Sequence, residues 1–139
     1  MHRLFGRFLL VPWCLALAGC TDDRPPTYPV TGKVVLPDGK PLAGGSILFE
    51  SVEHALAARG LILQDGTFRL GTFGLSDGAV AGPHRVAIIP AYPDDFDPDG
   101  GPPPRTIDHR YTTQDTSGLE YTVTEKGPNH FQIEVELGR

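Results

Sequence analysis

Cysteine is nearly absent: Cys14 and Cys20 are the two in 139 residues. That excludes the disulfide framework on which many small exported domains depend. Positive charge is sparse as well, with 12 Lys and Arg against 17 Asp and Glu and a formal net charge of -5. A clustered basic face, the electrostatic footprint of a nucleic-acid binder, is therefore not expected, and nucleic acid is excluded as a partner. The longest apolar run, residues 8–17, is too short to span a bilayer. No long stretch repeats apolar residues at helical spacing, and no internal repeat is visible. Glycine and proline, by contrast, are abundant at 17 and 14 residues, a turn-rich load that favours short strands over long helices. The length predicts one compact domain.

The N-terminal stretch combines Arg3 and Arg7, the apolar run 8–17, and the small residues Ala18 and Gly19. This is the layout of a secretory signal. The residues Leu17-Ala18-Gly19-Cys20 resemble the lipobox of bacterial lipoproteins. That resemblance implies a signal peptide (a signal helix) at 1–19 and a diacylglyceryl group on the thiol of Cys20, which would attach the protein to a membrane. Cleavage there removes Arg3, Arg7 and Cys14, leaving a more acidic chain with Cys20 as its one cysteine. Residues 20–29, with Asp22, Asp23, Pro25, Pro26 and Pro29, read as a flexible tether reaching about 30 Å when extended. Thr21 stands where the lipoprotein family carries an Asp in its inner-membrane retention signal, so the expected location is the cell envelope, lipid-anchored at the outer membrane.

From Val30 onward apolar residues recur at period two between closely spaced turn signals, the pattern of a β-sandwich. The last segment is the clearest, with Phe131, Ile133, Val135 and Leu137 alternating with Gln132, Glu134 and Glu136. A strand places the first four on one face. Similar runs occupy 30–36, 46–51, 60–64, 67–72, 84–90 and 119–124, which makes seven strands. Asp38-Gly39 and Asp65-Gly66 supply the positive φ that a tight hairpin needs. Residues 52–59 have helix-forming composition without an apolar stripe and are expected as a loop or a single helical turn. Gly32 is expected as a bulge or a close packing point, with Phe68, Leu70, Val86, Ile88 and Tyr121 in the core.

Four segments together carry a second resemblance: Val30-x-Gly32-x-Val34, Asp38-Gly39-Lys40-Pro41-Leu42-Ala43-Gly44, Asp65-Gly66-x-Phe68-x-Leu70, and Gly78-Ala79-Val80-x-Gly82-x-His84-Arg85-Val86. They resemble the carboxypeptidase regulatory-like domain of small bacterial envelope lipoproteins. The likeness extends to the entry of a late strand at Thr116-Ser117-Gly118-Leu119, and Ala81 stands where related chains commonly have Pro. It implies an all-β, seven-stranded Greek-key sandwich over 30–138, prealbumin/transthyretin-like and without catalytic residues of its own. The hydroxyisourate hydrolases of that fold end in a Tyr-Arg-Gly-Ser motif, whereas this chain ends Val135-Glu136-Leu137-Gly138-Arg139.

The segment 91–118 is far longer than the ordinary connection of about 4–6 residues and carries five prolines. Within it, Asp95-x-Asp97-x-Asp99-Gly100 reproduces the opening of a calcium loop. Its ninth and twelfth positions are Pro103 and Thr106 rather than the usual ligands, so Asp95, Asp97 and Asp99 stand as candidate Ca2+ ligands beside the alternative of a solvated acidic loop. His54, His84, His109 and His130 are scattered without zinc-site spacing. Asp108 and His109 offer a His/Asp pair but no motif-level nucleophile accompanies them. The expected function is a non-catalytic, lipid-anchored binding, adhesion or scaffold module serving an envelope protein or carbohydrate. The alternatives are a calcium-responsive module and a small envelope hydrolase.

Overall fold

A computed structural model describes Gly19 and residues 22–97, 99–101 and 106–139 of the chain. Over these residues the protein is all-β. Nine strands are present: β1 (Thr27–Tyr28), β2 (Val30–Val35), β3 (Ser46–Ser51), β4 (Ala57–Leu61), β5 (Thr67–Arg69), β6 (Ala79–Val80), β7 (Gly82–Ile89), β8 (Glu120–Val123) and β9 (Asn129–Glu134). They form a three-stranded sheet ordered β5-β2-β9, a four-stranded sheet ordered β4-β3-β7-β8, and the short pair β1-β6. The two-residue strands of that pair, which carry too little alternation to be read in a sequence, take the count from the expected seven to nine. A single 3-10 turn, His109–Thr112, is the one helical element among the described residues.

Period-two alternation explains how the two main sheets meet. In β3, Ile47, Phe49 and Ser51 point inward, and their ladder partners on β7 are Ile88, Val86 and His84, all buried. In β2, Val30, Gly32 and Val34 face the other way across the core, and Val34 pairs with Ile133 of the parallel strand β9. Phe49 stands at the centre. Its ring lies 6.1 Å from Phe68 and 6.0 Å from Phe131, both on the opposite sheet, and 6.0 Å from Tyr121 and His84 on its own. Tilted aromatic pairs at such distances add to the area term of burial. Gly32 is the close packing point: a Cβ there would strike the Phe131 carbonyl oxygen and the Phe68 ring. The Val30-x-Gly32-x-Val34 spacing thus leaves a gap in one sheet that an aromatic ring from its neighbouring strand covers.

Two expectations are corrected in detail and a third is met. Residues 52–59 are not a helical turn throughout: a turn covers 52–54, and β4 begins at Ala57, pairing Ala58 with Phe49 and Arg59 with Leu48. The ladder to β3 outweighs helix-forming composition. The strand placed at 60–64 accordingly starts earlier and ends at Leu61. Secondly, the Asp-Gly turns form, with φ of 83° at Gly39 and 80° at Gly66, and Asp38 and Asp65 each accept the amide two residues on. Each closes a tight hairpin as expected: the Leu36 amide donates to the Lys40 carbonyl and Val35 bridges Pro41 around the first, and the Leu63 amide donates to the Thr67 carbonyl around the second. The strands on either side, β2 and β3 or β4 and β5, belong to different sheets, so the chain also changes sheets in these connections. Thirdly, Leu137 is exposed, so the inward row of the last segment ends at Val135.

The two sheets are also stitched along one side. Arg59 and Gly71 exchange backbone hydrogen bonds of 2.9 Å in both directions, linking β4 to the end of β5. On the other side, β8 and β9 each end their sheet. Much of the long 91–118 segment beyond Thr106 is built into the body: Ile107 bridges Leu137, and Ile107 and Tyr111 belong to the core.

Candidate functional site

The sequence pointed first to the acidic loop. Asp95, Asp97 and Asp99 are all exposed. Asp97 Oδ1 accepts the Asp99 amide at 2.9 Å, which spends that carboxylate on closing its own turn. Among the described residues no three His, Cys, Asp or Glu side chains gather closely enough to hold a metal ion.

The Asp108–His109 pair is likewise occupied by local structure. Asp108 caps the 3-10 turn, accepting the Arg110 amide at 3.0 Å. His109 Nδ1 lies 2.8 Å from Thr112 Oγ1, and that hydroxyl donates to the His109 carbonyl. The two side chains serve the turn rather than each other. Cys20, like the signal segment and Thr21, lies outside the described residues.

A different surface emerges on the stitched side of the sandwich. Alternation along β4 turns Arg59 and Leu61 outward and Ile62 inward, and Leu63 faces out again. Across the stitch, Thr31, Arg69 and His130 lie side by side on the outer face of the three-stranded sheet. His130 Nδ1 is 3.0 Å from Thr31 Oγ1. Between these two rows lies an open groove of about 790 Å³, lined also by Gly74 and Leu75. Among the described residues no Asp or Glu lines it.

The loop that carries Leu75 is held by one carboxylate. Asp77 accepts the amides of Thr72, Phe73 and Gly74 at 2.7, 3.0 and 3.1 Å, while Thr72 Oγ1 donates to the Gly78 carbonyl. Burial alone would raise the Asp77 pKa, but the converging N–H groups outweigh it and hold the carboxyl below its ordinary range. The loop is therefore rigid although its tip is apolar. On its other flank the Arg24 guanidinium lies 5.2 Å over the Phe73 ring, which fixes the tether against this same loop.

Sequence reasoning missed Arg59, Leu61, Leu63, Arg69 and Leu75. One signal was available: Leu61-Ile62-Leu63 is apolar at three successive positions, so a strand there must turn at least one of them away from the core. Comparison of the chain with family models, with curated proteins and with solved structures returned no match in any of the three.

Proposed function

We propose that the protein is a lipid-anchored, non-catalytic binding module of the cell envelope, attached through Cys20 and presenting its β-sandwich to an envelope protein or carbohydrate. The observation that carries this reading is the free strand edges: β8 pairs with β7 alone and the Asn129–Glu134 stretch of β9 with β2 alone among the described residues, the continuation of β9 being bridged at Leu137 by Ile107, whereas β4 and β5 are stitched to each other. An open edge accepts an added strand by backbone hydrogen bonding. The likeness of the Gly32, Asp38-Gly39 and Asp65-Gly66 segments to the carboxypeptidase regulatory-like domain of small bacterial envelope lipoproteins supports the same reading. So does the engagement of Asp108 and His109 in turn capping.

Metabolic labelling with a fatty-acid probe tests the anchor. Label on the native chain that disappears in Cys20→Ser, together with loss of the protein from the membrane fraction, is the expected result; equal label on both sinks the lipoprotein reading. Crosslinking in intact cells tests the module, with adducts expected on β8 or β9. Adducts confined to other surfaces remove the open-edge argument.

A further inference from the structure

The stitched side of the sandwich has an unusual surface for an acidic chain. Leu61 is 73% exposed, Leu63 58% and Leu75 98%. Three leucines left in water beside one another cost hydration free energy that a monomeric surface ordinarily avoids. Arg59 and Arg69 stand among them and form no ion pair among the described residues. The neighbouring carboxylates, Asp65 and Asp77, are committed to Thr67 and to the loop backbone. A surface that combines unpaired cations with protruding apolar groups complements an anionic, amphiphilic partner.

The tether says where that partner lies. Arg24 packs on Phe73, two residues from Leu75, and three residues separate Arg24 from Cys20. The four steps from Cys20 to Arg24 reach about 14 Å when fully extended. An acyl chain on Cys20 would thus keep Arg24, and with it the loop it packs on, within about 14 Å of the anchor point. Asp22, which would otherwise oppose an anionic leaflet, is paired with Arg24 at 3.1 Å. Leu75 stands out at the tip of a loop that Asp77 keeps from folding back, a geometry suited to insertion into a surface rather than to enclosing a small molecule.

We propose that the face formed by Arg59, Leu61, Leu63, Arg69 and Leu75 docks on an anionic lipid leaflet. The leucines enter the headgroup layer, and the two guanidiniums contact lipid phosphates. The inference rests on the reading of Cys20 as acylated. Docking orients the sandwich so that the β8 side, across the sheet from β4, faces away from the membrane.

The test uses the full chain, processed and acylated by its host, in vesicles of phosphatidylethanolamine with phosphatidylglycerol and in vesicles of phosphatidylcholine alone. A fluorophore is placed on Ser76→Cys, beside Leu75, or on Glu120→Cys of β8, and read with a quencher buried in the bilayer. Quenching at position 76 but not at 120, in the anionic vesicles only, is the expected result. In the Arg59→Glu, Arg69→Glu double variant the docked-to-undocked ratio falls at least about thirtyfold, from the loss of two cations at an anionic surface. Equal behaviour at 76 and 120, or equal quenching at 76 in both vesicle types, overturns the proposal. Flotation separates the two readings: a chain that floats with vesicles while position 76 stays aqueous keeps its anchor and loses the docking face. A chain that does not float has lost the anchor itself.

Discussion

Two surface loops of this protein use aspartate in opposite ways. Between Thr72 and Gly78, one carboxylate, Asp77, gathers three backbone amides and fixes the loop against the sandwich. Between Asp94 and Gly100, four aspartates stand exposed, and within the described residues Asp97 alone bonds, to a single amide. The spacing that looks like a cation site organises little. The solitary aspartate, with no motif around it, shapes the surface on which Leu75 is displayed. What separates them is convergence: three N–H dipoles aimed at one acceptor stabilise a charge that carboxylates in a row merely repel.

Replacing Asp77 by Ala should therefore have the largest effect. It leaves three amides without their acceptor and removes charge-assisted hydrogen bonds, so a loss of about 2–3 kcal/mol is expected in urea unfolding. A change below about 0.5 kcal/mol would show that solvent replaces the carboxylate freely and would erase the contrast between the loops. Asp77→Asn, which keeps one acceptor oxygen, should lie between the two.

Acid titration sharpens the comparison, because two groups act in different windows. The Asp77 pKa is held below its ordinary value of 3.8, so its contribution is complete above that value and is lost as pH falls through the lower, folded-state pKa. His84 shifts downward from 6.5, chiefly because burial disfavours its charged form, with a smaller opposing effect from the Gly82 carbonyl and a further lowering by His54. Its Nδ1 lies 2.9 Å from that carbonyl, and its Nε2 has no partner among the described residues. Here the unfolded chain takes up the proton first. Stability is complete above pH 6.5 and falls as pH drops from there toward the folded-state value. In His84→Phe the slope of stability just below pH 6.5 should flatten, while the loss below pH 3.8 that belongs to Asp77 persists. An unchanged slope below pH 6.5 would mean that the imidazole is protonated equally in both states.

Legibility followed the strength of alternation. Phe131, Ile133 and Val135 reveal the last strand, and Gly32, Asp38-Gly39 and Asp65-Gly66 reveal a close approach and two turns, because each rests on a local rule of geometry. Residues 52–59 were misread because β4 is decided by its ladder to β3, a partner distant in the chain. The groove was illegible for a related reason. Arg59 and Arg69 are ten residues apart and come together with Thr31 and His130 only through pairing in two different sheets. Asp95, Asp97 and Asp99 were conspicuous because their spacing is local, and local spacing is what a sequence displays best.

The smallest effects belong to the acidic loop. Asp95→Ala and Asp99→Ala remove exposed side chains with no hydrogen bond among the described residues, and each should leave stability within about 0.5 kcal/mol of the native chain. Asp97→Ala, which frees the Asp99 amide to water, should cost no more than about 1 kcal/mol. Calcium decides whether the comparison stands. A site whose Kd is one-tenth of the calcium concentration would add about 1.4 kcal/mol to stability, raising Tm by several degrees. With Asp97 already spent on its own turn, no such rise is expected at millimolar calcium. A rise that vanishes in Asp95→Ala would show that the cation itself assembles the carboxylates, and would turn the looser of the two loops into the more strongly organised one once the ion is bound.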